Sequence, residues 1–124
     1  MISDDPTHAL LLGRMAQEGD TALAVLAISA GPLGGATSGG ALAVSRERLW
    51  LTQPHLLGGP SVASVPLASV GAVTVGGGRP VLGAPRALRL EVVVDGRPVR
   101  WRTLAQRQAV DEFLLALSVA RDLL

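Results

Sequence analysis

Apolar residues recur along this chain with two different periods, and the changes of period mark out its elements. Over residues 8–17 they fall at helical spacing. Leu11, Leu12 and Met15 form the apolar side of a short helix, with Thr7 after Pro6 as its cap and Gly19 as its stop. From residue 21 the apolar runs become short and strand-like. Residues 21–29 form a first strand, and residues 41–45 and 48–52 form a hairpin around Arg46-Glu47. Residues 62–67 and 70–75 follow, separated by Ala68-Ser69. The intervening stretches 31–40, 53–61 and 76–85 are rich in glycine and proline and read as flexible loops.

The last third has the clearest pattern. Residues 87–94 alternate, with Leu88, Leu90, Val92 and Val94 on one face and Arg89, Glu91 and Val93 on the other. Asp95-Gly96 then supplies a two-residue turn in which both central positions need positive φ. Residues 97–102 return. A turn of that length fixes the register: Val92 faces Val99, Glu91 faces Arg100, and Leu90 faces Trp101. Val99 and Trp101 then point to the core, and Arg100 and Arg102 point outward. Thr103-Leu104-Ala105-Gln106 has the pattern of a capping box for a terminal helix over residues 104–124. Asp111 and Glu112 in its first half and Arg121 near its end suit the helix dipole. Val110, Phe113, Leu114, Leu117 and Leu124 form its core stripe.

The expected fold is therefore mainly β with a C-terminal helix. It has about seven antiparallel strands, one long helix and a short N-terminal helix. A chain of 124 residues suits one domain. Its expected organisation is an acidic helical segment over residues 1–19, a β-barrel over 21–102 and a capping helix over 104–124. Apolar residues make up 48% of it, but no run approaches the roughly 20 residues of a membrane-spanning helix. The acidic start Met1-Ile2-Ser3-Asp4-Asp5-Pro6 lacks a signal-peptide layout. The expected location is cytoplasmic, with peripheral membrane attachment as the alternative.

All eleven basic residues are arginine. Their distribution is uneven. From Arg79 to Arg107 seven arginines stand against Glu91 and Asp95, a balance of +5, whereas the first twenty residues carry −3. The expectation from these opposite balances is an attraction between the two regions, within one molecule or between neighbours.

Two segments and the chain's ending resemble the bacterial PH-like domains, relatives of the pleckstrin-homology and GRAM folds. Gly40-Ala41-Leu42-Ala43-Val44-Ser45-Arg46-Glu47-Arg48-Leu49 is similar to the family's glycine, apolar strand, Thr/Ser, two polar residues and Arg-Leu. Val65-Pro66-Leu67-Ala68-Ser69-Val70 is similar to its apolar-Pro-Leu-x-x-Ile/Val segment. A last strand with an inward aromatic, Trp101, runs into one terminal helix. The resemblance spans residues 20–124. It implies two roughly orthogonal sheets with the helix plugging one open end, and a role in assembly or protein binding. Family members that hold phosphoinositides use basic residues around the first β–β loop. Here residues 31–40 contain none, which argues against inositol-phosphate recognition.

Three features are candidates for function. Trp50 falls on the strand face opposite Leu49 and Leu51, either as an interface anchor or packed beneath the N-terminal helix against Leu11, Leu12 or Met15. Leu115, Val119 and Leu123 recur along a flank of the terminal helix beside its core stripe, with Ala116 and Ala120 nearby. They offer a surface for another protein or a second copy. Arg79, Arg86, Arg89, Arg100 and Arg102 offer an anion or lipid-headgroup surface, or simply a solvated sheet face with Glu91 paired to Arg100. Nucleic acid is disfavoured, because Trp101 and Phe113 are expected inside and little aromatic surface remains for stacking.

No catalytic, cofactor or metal site is expected. There is no cysteine, and the glycine pairs lack the lysine of a phosphate-binding loop. His8 and His55 are far apart in the chain, and nothing in the pattern favours Ser61 with His55 as a nucleophile and base. The expected function is a non-catalytic, self-associating PH-like interaction module. The alternative is peripheral binding to anionic lipid headgroups.

Overall fold

The computed structural model describes residues 6–28, 40–53, 61–77, 88–103 and 105–122. Two antiparallel sheets form most of it. Helix α1 (Pro6–Gln17) is followed by strands β1 (Ala24–Ile28), β2 (Gly40–Val44), β3 (Arg48–Gln53) and β4 (Ser61–Pro66), which make a four-stranded meander in chain order. A 3-10 turn (Leu67–Ser69) leads to β5 (Val70–Gly77), β6 (Leu88–Val94) and β7 (Arg97–Thr103), a three-stranded meander. Helix α2 (Arg107–Asp122) ends the described chain. The expected mainly-β fold of seven strands, a C-terminal helix and a short N-terminal helix is the one observed. Of the loops expected over residues 31–40, 53–61 and 76–85, the ends are strand instead, with Gly40 in β2, Gln53 in β3, Ser61 in β4 and Gly76-Gly77 in β5, and the rest lies outside the described residues. No helix among the described residues is long and apolar enough to cross a membrane.

Local chemistry explains the element ends. Helix α1 stops at Gly19, whose φ of +73° suits a residue without a Cβ. The Gly19 amide donates to the Ala16 carbonyl at 3.0 Å, and the Asp20 amide donates to the Met15 carbonyl at 2.8 Å. This paired closure satisfies carbonyls that the helix end would otherwise leave open. Between β2 and β3, Ser45 closes the turn: its amide donates to the Arg48 carbonyl at 2.9 Å, and its hydroxyl accepts the Arg48 amide at 3.1 Å. The Asp95-Gly96 turn has φ of 51° and 78°, as its type requires. The β6–β7 register follows from it, with Leu90 opposite Trp101, Glu91 opposite Arg100 and Val92 opposite Val99.

One main core joins the sheets and α2. Leu26, Leu42, Leu49, Leu67, Leu90, Val92 and Trp101 meet Val110, Phe113, Leu117 and Ala120 of the helix. A second cluster lies apart from it, where Leu11 and Met15 of α1 cover Ala41, Ala43 and Trp50. The pleat of β2 explains both clusters: Leu42 and Val44 serve the main core, and Ala41 and Ala43 serve α1.

The expected capping box does not form. Thr103 is the last residue of β7 and is fully buried. Its hydroxyl donates to the Ala27 carbonyl of β1 at 2.7 Å and accepts the Ala105 amide at 3.0 Å, so it links the two sheets instead of capping at Gln106. The helix starts later, and the Gln106 carbonyl accepts the Val110 amide at 3.2 Å.

Candidate functional site

Helix α2 seats one face in the main core and leaves another bare. Val110, Phe113, Leu117 and Ala120 are buried, and Leu114 and Ala116 are half-buried against the same core. Ala120, expected near the outer flank, is instead a core residue, because the stripe continues from Leu117 at i+3. The flank itself is open. Leu115 is 65% exposed and Val119 is 49% exposed, one turn apart. Leu123 and Leu124 lie outside the described residues. A bare Leu–Val pair on a helix with its other face anchored is a rigid apolar contact, with little ordering cost on binding.

Trp50 is not part of that surface. It is 4% exposed and lies under α1 with Leu11 and Met15, so the reading of it as an exposed interface anchor is corrected. Leu12, the third of the candidate partners, is exposed. The Trp50 Nε1–H donates to Asp20 Oδ2 at 2.8 Å, and the Thr21 amide donates to Asp20 Oδ1 at 3.0 Å. Burial pushes the Asp20 carboxyl pKa up. The Ser45 hydroxyl, the Trp50 indole, the Thr21 amide and the Arg48 charge outweigh it and hold the pKa below its ordinary value. Asp20 thus fastens the end of α1 to the outer face of the first sheet.

Beside this clasp lies a polar groove of about 500 Å³, lined among others by Arg14, Glu18, Asp20, Arg48 and Ser64. Its charges are largely engaged with one another. Arg48 Nη1 donates to Ser64 Oγ at 2.7 Å, and Arg14 lies 3.7 Å from Glu18. Sequence reasoning did not anticipate the clasp. Its only local signal is an aspartate directly after the helix-stopping glycine.

The arginine face is assembled in part. Arg89 is directly opposite Arg102, and Glu91 opposite Arg100, on the exposed side of the β6–β7 ladder. Arg100 Nε lies 3.7 Å from Glu91 Oε1. Arg79 and Arg86 lie outside the described residues. His8 belongs to α1, and His55 lies outside the described residues. Among the described residues, no three His, Asp or Glu side chains gather where they could hold a metal ion. Neither a protein-family model, nor a curated protein, nor a solved structure matches this chain.

Proposed function

We propose that this chain is a non-catalytic, PH-like interaction module that works through protein–protein contacts and associates with itself. The observation that carries this reading is the exposed Leu115 and Val119 on a helix whose opposite face is locked into the core. Apolar side chains adjacent on one helix face are the start of the kind of contiguous patch that marks a contact surface. Light scattering over a concentration series tests it. The expected result is a mass above that of one chain, reduced to one chain by Val119→Asp without loss of fold. A strict monomer at high micromolar concentration overturns it.

A second reading is peripheral attachment to anionic lipid through Arg89, Arg100 and Arg102, supported by their common outward face on the β6–β7 hairpin. Co-sedimentation with phosphatidylserine vesicles at low salt, lost at moderate salt, is the expected behaviour. Absence of binding at low salt removes this reading.

A further inference from the structure

Helix α1 meets the rest of the molecule through one small patch. Among its described residues only Leu11 and Met15 are buried, and they cover Ala41 and Ala43 of β2 and Trp50 of β3. The helix packs on β2, β3 and β4, all strands of the first sheet. The main core contains no described residue of α1, whereas α2 supplies Val110, Phe113, Leu117 and Ala120 to it. Lifting α1 away would therefore leave the packing between the two sheets and α2 in place. Below about 12–15 residues a helix alone in water is marginal. With 12 residues and no sheet beneath it, α1 would melt.

The covalent and polar connections fall on the same boundary. The chain leaves α1 through Gly19, at φ of +73°, and is fixed to the first sheet again at Leu23, whose amide donates to the Val44 carbonyl at 2.7 Å. Around the polar groove, the Arg14–Glu18 pair lies on the α1 side and the Arg48–Ser64 hydrogen bond on the sheet side. Asp20, in the connecting segment, reaches across. Its amide donates to the Met15 carbonyl at the helix end, and its carboxylate accepts from the Trp50 indole and the Ser45 hydroxyl. One residue thus ties the end of α1 to β3 and to the β2–β3 turn.

We propose that α1 is a releasable strap over Trp50. It undocks and melts as one unit while both sheets and α2 stay folded, and Asp20 is the catch that sets how often it opens. Local openings of this kind are drawn from elements with few buried apolar contacts. The open form uncovers Trp50, Ala41 and Ala43, an apolar strip that the closed form keeps from water. The device does not depend on the Leu115–Val119 surface, which lies on α2.

Amide exchange of the full chain in low urea tests it. The expected result is two classes of opening. Amides of α1 exchange through a shared opening that exposes little surface and so depends weakly on urea. Those of β6 and α2 exchange through one that depends on it steeply. Leu117→Ala weakens the main core, which the open form retains. It should speed exchange in β6 and α2 by ~10-fold or more and leave α1 unchanged. Asp20→Ala should speed exchange in α1 by about 10-fold, and Asp20→Asn, which keeps an acceptor oxygen, by less. Amides of α1 that share no common urea dependence, or that follow β6 and α2 in urea or in the response to Leu117→Ala, overturn the strap. Exchange in α1 that Asp20→Ala does not move overturns Asp20 as the catch. Should Leu117→Ala fail to fold, the urea dependence of the parent chain decides.

Discussion

The Trp50 indole donates its hydrogen bond to the Asp20 carboxylate, thirty residues earlier in the chain, at 2.8 Å. Together with the Ser45 hydroxyl on the same carboxylate, this contact closes the path from the end of α1 to the outer face of the first sheet. Without it, α1 is held mainly by Leu11 and Met15 on Ala41, Ala43 and Trp50. A cluster that small leaves a nearly buried indole N–H dependent on one acceptor.

Asp20→Ala should therefore lower stability by about 1–2 kcal/mol, the cost of leaving a buried donor unsatisfied. Urea unfolding followed by tryptophan fluorescence measures it. Asp20→Asn keeps an acceptor and should lose less.

The same carboxylate makes stability depend on pH. Its folded pKa lies below the ordinary 3.8, so the folded state favours the charged form. The Asp20 contribution is fully present above that value and is lost as pH falls through the lower folded pKa. Unfolding curves from about pH 6 to pH 2 should show a smaller acid loss in Asp20→Asn than in the parent chain. An identical loss in both would exclude Asp20 as a contributor.

Phe113 and Leu115 lie two residues apart on α2 and should respond oppositely to truncation. Phe113 is 1% exposed at the centre of the main core, so Phe113→Ala should cost about 3–5 kcal/mol. Leu115→Ala removes a side chain that is mostly in water and should change stability by less than about 0.5 kcal/mol. Its effect should appear in association instead. Chemical denaturation and light scattering on the two variants separate these outcomes.

How far the sequence foretold the structure depended on how local each contact is. The register that sets Leu90 opposite Trp101 was legible, because two turn residues with positive φ leave one alignment of the flanking strands. The open flank at Leu115 and Val119 was legible from helical spacing. Thr103 was not. Its neighbours match a capping box, but a carbonyl 76 residues away, on β1, takes the hydroxyl. Trp50 was ambiguous for the same reason. Alternation places it on the outer face of its strand, and only the fold of α1 determines that this face is covered.

Thr103→Val tests that link between the sheets. Valine matches threonine in shape but neither donates to Ala27 nor accepts from Ala105. At a fully buried position the loss should be about 1–3 kcal/mol. Faster amide exchange in β1 and β7 than in β3 should accompany it, since the corner between the sheets loses its tie.

Two glycines should respond to alanine with opposite sign. Gly13 is inside α1, and a Cβ there meets nothing within 4 Å. Gly13→Ala should stabilise the chain by about 0.5–1 kcal/mol, because alanine restricts the unfolded chain and favours helix. Gly40 begins β2, and a Cβ there would lie 3.0 Å from Ile28 Cγ1 and 3.1 Å from Thr52 Oγ1. Thr52 cannot yield freely, since its hydroxyl accepts the Ala41 amide at 2.9 Å. Gly40→Ala should therefore destabilise by about 1 kcal/mol or more through overpacking. Thermal melts of the two variants read both signs. A neutral Gly40→Ala would mean that Ile28 shifts aside without disturbing the β1–β2 ladder.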